Sequence, residues 1–202
     1  PILSDCDLFR NAHPEAKIVG VTGTNGKSTT TALIGHILTE AGYPTAIGGN
    51  IGIPVLSLPT LGEQGIYVLE LSSYQLEHSD TLNIDIVAWL NISEDHLERH
   101  GSMHQYVQAK YKILQALKHV PQLVIGVDDP YSKGIYEKHL SLAGTTIPVA
   151  CQHQPENGLW VKDRQLWAVK EGQESLVTDL SHYSRLQGDH NHQNIAVAYG
   201  VC

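Results

Sequence analysis

A chain of 202 residues is long enough for one large domain or two small ones with a real core. Its 42% apolar and 17% charged residues exclude a disordered chain, and a net charge of −8 argues against a nucleic-acid scaffold, which would need a basic surface. No apolar run approaches ~20 residues, so no membrane span is expected, and no signal peptide is visible at the start.

Residues 1–16 show no clear element and read as a linker. Lys17-Ile18-Val19-Gly20-Val21-Thr22 is an apolar, β-branched run, the pattern of a buried strand. A loop of Gly23-Thr24-Asn25-Gly26-Lys27-Ser28 follows, and Thr29 to Ala41 then places Leu33, Ile34, Ile37, Leu38 and Ala41 on one helical face. Strand, glycine loop, Gly-Lys-Ser and helix make a P-loop, whose backbone N–H groups turn toward phosphate oxygens beside a helix N-terminus. In that motif Lys27 reaches the β- and γ-phosphates and Ser28 ligates Mg²⁺. Val21 stands where the common pattern has its first glycine, so an ordinary strand-to-helix turn is the alternative.

Thr45 to Ile47 is a short strand candidate, and Gly48-Gly49-Asn50-Ile51-Gly52 is either tight backbone near a ligand or a surface loop. Ile66 to Leu69 is a second buried strand that ends in Glu70, which reads as a Mg²⁺ ligand or as a solvated strand-end charge. Ser72 and Ser73 open a short helix, with Glu77 as its cap partner. Ile86 to Leu90 is a third strand and leads to Asn91-Ile92-Ser93-Glu94-Asp95-His96.

His96, His100 and His104 recur every four residues, yet Gly101 and Ser102 interrupt the helix between the last two, so His100 and His104 are expected to be exposed. Ser102 caps a helix expected to run to about Lys118, with Met103, Val107, Leu114 and Leu117 as its stripe and Tyr106 and Ile113 beside it. Lys110 falls on that stripe. Its stem covers apolar surface while its head reaches water, or burial lowers its pKa and frees the neutral amine for chemistry.

Leu123 to Val127 is a fourth buried strand, closed by Asp128-Asp129-Pro130. Strands alternating with helices give an α/β fold, a doubly wound and mostly parallel sheet with ligands beyond the strands' carboxyl ends, where Gly26, Glu70 and His96 fall. Leu159 to Val169 reads as an antiparallel hairpin packed beside that sheet. A last helix begins near Asn191, and the polar side chains at its start are caps or nucleotide contacts. Cys6, Cys151 and Cys202 are odd in number and far apart, which reads as reduced cytosolic thiols.

At Thr22 to Ser28, the Glu70 strand end, Asn91 to His96, Ala109-Lys110, and His190-Asn191 with Asn194, the sequence resembles the Mur ligases, which add amino acids to the peptidoglycan precursor. Val21 is how that family's phosphate loop is usually written. Gly48 to Gly52 and Glu70 to Glu77 look like the D-glutamate-adding branch. Gly126, where relatives often have Asn, departs from the family pattern. The resemblance implies a central ATP-binding domain over 17–202, with the family's N-terminal and C-terminal domains absent and this segment alone inactive.

It further implies ATP held by Gly23, Thr24, Asn25, Gly26, Lys27, Ser28 and Thr29, with Asn191 and Asn194 at the adenine. Ser28 and Glu70 would serve one Mg²⁺, and His96 with a carbamylated Lys110 a second. Asn50, Ser72 and Gln75 would face UDP-N-acetylmuramoyl-L-alanine, to which D-glutamate is added through an acyl phosphate. Lys27, His96 and Lys110 would act in catalysis, in a cytoplasmic monomer without nucleic-acid partners. A relative using another amino acid, or a non-catalytic nucleotide-binding module, are the competing readings.

Overall fold

The computed structural model describes residues 3–140, 145–183, 186 and 188–202. In chain order it contains α1 (Asp5–Ala12), β1 (Lys17–Thr22), α2 (Lys27–Glu40), β2 (Thr45–Gly49), β3 (Ile66–Glu70), α3 (Ser73–Glu77) and β4 (Ile84–Trp89). There follow α4 (Leu97–His100), α5 (Met103–Gln115), β5 (Leu117–Gly126), α6 (Pro130–His139), β6 (Thr145–Ala150), β7 (Gly158–Lys162), β8 (Gln165–Lys170), β9 (Gln173–Asp179) and α7 (Asp189–Val201). Among the described residues no helix is long and apolar enough to cross a membrane.

One nine-stranded sheet runs in the order β2-β3-β1-β4-β5-β6-β7-β8-β9. It is parallel as far as β7, and β7-β8 and β8-β9 are antiparallel. The expected hairpin is present, but it continues the main sheet through Val149–Leu159 and Ala150–Trp160 pairs instead of packing beside it.

Successive residues of β1 serve opposite faces, as the pleat requires. Ile18 joins one core with Leu69, Trp89, Tyr106 and Ile113, while Val19 and Val21 join the other with Ile34, Leu38, Ala196 and Val197. At β1 and β3 both faces of the sheet are covered, so these strands read as continuous apolar runs instead of alternating ones. Glycine permits one of the close approaches on which this packing depends: a Cβ on Gly49, whose φ is +106°, would overlap the Glu70 carbonyl. β2 is thereby pressed against the strand end that carries the acidic side chain.

The expectation of no element before residue 17 is overturned. Ser4 and Asp7 form a capping box that starts α1, and Cys6 and Phe9 enter the core. Asp7 accepts the Thr81 N–H at 2.8 Å and the Asp80 N–H at 3.1 Å, and Arg10 donates to the Leu82 and Asn83 carbonyls. These long-range bonds tie α1 into the fold. Gln75, not Glu77, is the reciprocal cap partner of Ser72. The helix after Ser102 ends at Gln115, because Leu117 already enters β5. α6, β6 and β9 had no counterpart in the sequence reading; α6 starts with Asp129 as N-cap and Pro130 at the first helical position, a recognised start signal.

Candidate functional site

The glycine loop lies between the ends of β1, β3 and β4. Gly26 is the N-cap of α2 at φ +85°, and a Cβ there would overlap Asn194 Oδ1. Only glycine meets both demands. The loop is stitched to the segment after β4. Thr24 N–H donates to Asn91 O at 2.8 Å, Asn25 N–H donates to Asn91 Oδ1 at 2.9 Å, and Asn91 Nδ2 returns a bond to Asn25 O at 3.1 Å. Thr24 Oγ1 meets both the N–H and the C=O of Ser93. The sequence reading assigned no role to these partners, Asn91 and Ser93.

Lys27 curls back over its own loop and donates to Thr24 O at 2.8 Å and Gly23 O at 3.1 Å. Ser28 Oγ donates to Glu70 Oε2 at 2.8 Å, and Asn50 Nδ2 donates to Glu70 Oε1 at 3.0 Å. Glu70 is 1% exposed, so it is no solvated strand-end charge. A hydroxyl and a carboxylate side by side form a hard-oxygen corner, the donor chemistry that suits Mg²⁺. Thr29 is half-buried in the first turn of α2.

Lys110 is 2% exposed and donates to Gly23 O at 2.8 Å, with its ammonium 4.9 Å from the centre of the Tyr106 ring. The head does not reach water, which removes the snorkelling alternative. Burial, reinforced by the Lys27 charge, pushes its pKa down to about 7, while Asp95 and Glu70 pull the other way. Two lysines thus share the Gly23 carbonyl.

His96 sits at the rim. It has φ +52° at the start of α4 and is half-exposed, with its ring 3.4 Å from the Asp95 carboxylate and 5.2 Å from the Tyr74 ring centre. Its ring and the Lys110 ammonium approach the same Tyr106 ring, at 6.5 and 4.9 Å. Among the described residues no three His, Cys, Asp or Glu side chains converge on one point. The expectation that His100 is exposed is wrong. It is 7% exposed, 3.0 Å from Ser73 Oγ and packed against Tyr74 and Tyr106. Helix α3 covers it, and periodicity within α4 and α5 carries no information about that packing. His104 is exposed as expected.

Ser72 and Gln75 bond each other at the start of α3, with Gln75 Oε1 accepting the Ser72 N–H at 3.2 Å. Asn191 and Asn194 lie on α7 beside the phosphate loop, joined to each other at 3.5 Å. Asn194 is buried against Gly26. Gly126 has a steric reason, since a Cβ there would overlap the Leu90 carbonyl and crowd the Gln193 amide at 3.0 Å. That amide donates to Asp128 at 2.8 Å. Tyr106 is the site residue that sequence reasoning passed over. Its place beside the apolar stripe of its helix signals packing alone, whereas its hydroxyl reaches Thr24, which only the fold brings near.

Residues 21–202 match the family described as the Mur ligase middle domain. The chain is 47% identical, over 99% of its length, to the UDP-N-acetylmuramoylalanine–D-glutamate ligase of Phenylobacterium zucineum, and 43% identical, over its whole length, to that of Rhodospirillum rubrum. It covers 44% and 43% of those proteins, so it spans under half the length of these curated relatives. Among solved structures, the MurF ligase of Thermotoga maritima in complex with ADP superposes with a TM-score of 0.66 at 20% identity, over 96% of this chain and 47% of that one. A MurF from Acinetobacter baumannii gives 0.66 at 19% identity, over 97% and 44%. The chain belongs to the Mur ligase family, as its middle domain.

Proposed function

We propose that this chain is the ATP-binding part of the cytoplasmic, monomeric ligase that joins D-glutamate to UDP-N-acetylmuramoyl-L-alanine. The observation that carries the reading is the pairing of a phosphate loop with buried Glu70, hydrogen-bonded to the exposed Ser28 hydroxyl, on one side and the buried Lys110 on the other. A module that merely holds a nucleotide has no need of a desolvated lysine at its phosphates. The choice of D-glutamate rests on the named relatives.

In this mechanism the N–H groups of Gly26, Lys27 and Ser28 at the N-terminus of α2 bind the phosphates, since those of Thr24 and Asn25 are engaged by Asn91, and Lys27 leaves the Gly23 and Thr24 carbonyls for the β- and γ-phosphate oxygens. Asn191 and Asn194 border the nucleotide on the α7 side. Asn50 faces the muramoyl-alanine substrate, and Ser72 and Gln75 present the start of α3 to it. The substrate's terminal carboxylate oxygen attacks the γ-phosphorus in line. The bond to the β–γ bridging oxygen breaks, and ADP leaves with the electron pair. The amino group of D-glutamate then attacks the acyl carbon, phosphate departs, and the nitrogen loses a proton to give the amide.

Ser28 and Glu70 would hold one Mg²⁺, and His96 with carbamylated Lys110 a second; the bound ions supply charge neutralisation at the phosphoryl group. Carbamylation joins the neutral Lys110 amine to CO₂ and releases one proton. It replaces a buried cation by an anion, which relieves the repulsion from Lys27.

The test is ADP release by the full gene-encoded protein in the presence of ATP, Mg²⁺ and UDP-N-acetylmuramoyl-L-alanine. Release is expected to require D-glutamate and to fall at least ~100-fold in Lys27→Ala, which loses electrostatic stabilisation of the transferring group. ADP release that is indifferent to the amino acid offered would overturn the reading.

A further inference from the structure

Tyr106 is buried on the inner face of α5, with its hydroxyl 3.0 Å from Thr24 Oγ1. The sense of that bond follows from the inventory of a hydroxyl, one proton to give and two lone pairs to accept with. Thr24 Oγ1 gives its proton to Ser93 O at 3.2 Å and accepts the Ser93 N–H at 3.0 Å. All three contacts are hydrogen bonds at once only when the remaining lone pair accepts from Tyr106, and in that arrangement the phenol donates. Thr24's hydroxyl is then saturated by protein partners. Its backbone N–H is also engaged, with Asn91 O.

Four residues along the same helix, Lys110 donates to Gly23 O. Helix α5 therefore grips two successive residues of the phosphate loop from positions i and i+4, which lie on one helical face. The Tyr106 ring also stands against the rings of His96 and His100, at 6.5 and 5.4 Å between centres. Ser93, the third member of the Tyr106–Thr24 chain, lies three residues before His96 on the loop after β4.

We infer that Tyr106 is a positioning residue for phosphoryl transfer: through Thr24 and Ser93 its hydroxyl holds the phosphate loop and the His96-bearing loop in one register against Lys110. The catalytic consequence rests on the ligase reading, whereas the brace itself stands on the geometry. Displacing a reacting group by 1 Å can cost about 100-fold in rate. Removing one hydroxyl while keeping the ring isolates this effect, because phenylalanine preserves the contacts to Lys110, His96 and His100.

The experiment compares wild type, Tyr106→Phe, Thr24→Val and the double variant in the full gene-encoded protein. Tyr106→Phe is expected to lower kcat about 10-fold or more and to change KM for ATP less than about 3-fold. The double variant is expected to be no slower than the worse single variant, since both remove the same bond. A kcat within twofold of wild type, or losses that multiply in the double variant, would overturn the inference.

Amide hydrogen exchange reads the brace without activity. Peptides covering 20–30 and 91–97 are expected to exchange faster in Tyr106→Phe, with those of β7 to β9 unchanged. Unaltered exchange in the two loops would sink the brace. A wild-type protein that forms no amide would instead sink the ligase reading and leave the exchange result standing.

Discussion

Ser28 Oγ donates to Glu70 Oε2 across 2.8 Å, joining the first turn of α2 to the end of β3. The other carboxylate oxygen accepts from Asn50, so Glu70 is fixed from both sides.

Glu70→Gln keeps the shape but puts an N–H₂ where an acceptor is required, facing either Ser28 or Asn50. The benefit that Mg²⁺ brings to ADP binding is expected to shrink at least ~10-fold, through loss of a hard anionic ligand. Calorimetric titration with ADP, with and without Mg²⁺, measures this. An undiminished Mg²⁺ benefit would show that the ion is held elsewhere.

Gly26→Ala meets a left-handed backbone and the Asn194 side chain together. A loss of about 2 kcal/mol in urea-unfolding free energy is expected, from the disallowed φ and from overpacking. Adding Asn194→Ala removes the overlap but not the φ penalty, so recovery should be partial. Full recovery would mean that φ at residue 26 carries no cost.

Lys110 has a folded pKa of about 7, against 10.5 for the unconstrained side chain. Between those values the unfolded chain binds the extra proton, so folding stability rises with pH across that window and the contribution is lost as pH falls toward 7. In CO₂-free buffer, wild type is expected to gain about 2 kcal/mol over Lys110→Met between pH 7 and pH 9. A flat difference would contradict the lowered pKa. With bicarbonate present, native mass spectrometry should show a labile gain of about 44 Da on wild type and none on the variant, since carbamylation consumes the neutral amine.

His100 is buried against Ser73, and desolvation holds its pKa below the usual 6.5. The unfolded imidazole protonates first on acidification, so the contribution is complete above about pH 6.5 and is lost below it. His100→Gln should abolish that part of the acid sensitivity. It should also cost about 1–3 kcal/mol at pH 7.5, through the Ser73 bond and the aromatic packing. Urea midpoints at pH 5 and 7.5 test both. Equal acid sensitivity in the two proteins would assign it to another group.

The glycine loop and five of the parallel strands, β1 to β5, could be read before any coordinates, because each depends on spacing within a short window. A strand needs an apolar run and a P-loop needs its glycines. The helical stripe placed Lys110 among apolar residues, but only the fold showed that its head does not reach water. Helix α1 and strand β9 escaped that reading. α1 is held by bonds from Asp7 and Arg10 to residues some seventy positions away, and β9 is a polar edge strand defined by its partner β8.

The sequence by itself determined the strand, glycine-loop and helix pattern around Gly26 and the family of this chain, since both are written in contiguous or regularly spaced residues. Tertiary structure alone decided that Glu70 and His100 are buried, that Asn194 packs on Gly26, and that Tyr106 braces Thr24. The physical reason is that desolvation and hydrogen-bond partnership depend on which strands and helices become neighbours. Local periodicity orients a side chain on its own element but says nothing about what will cover it.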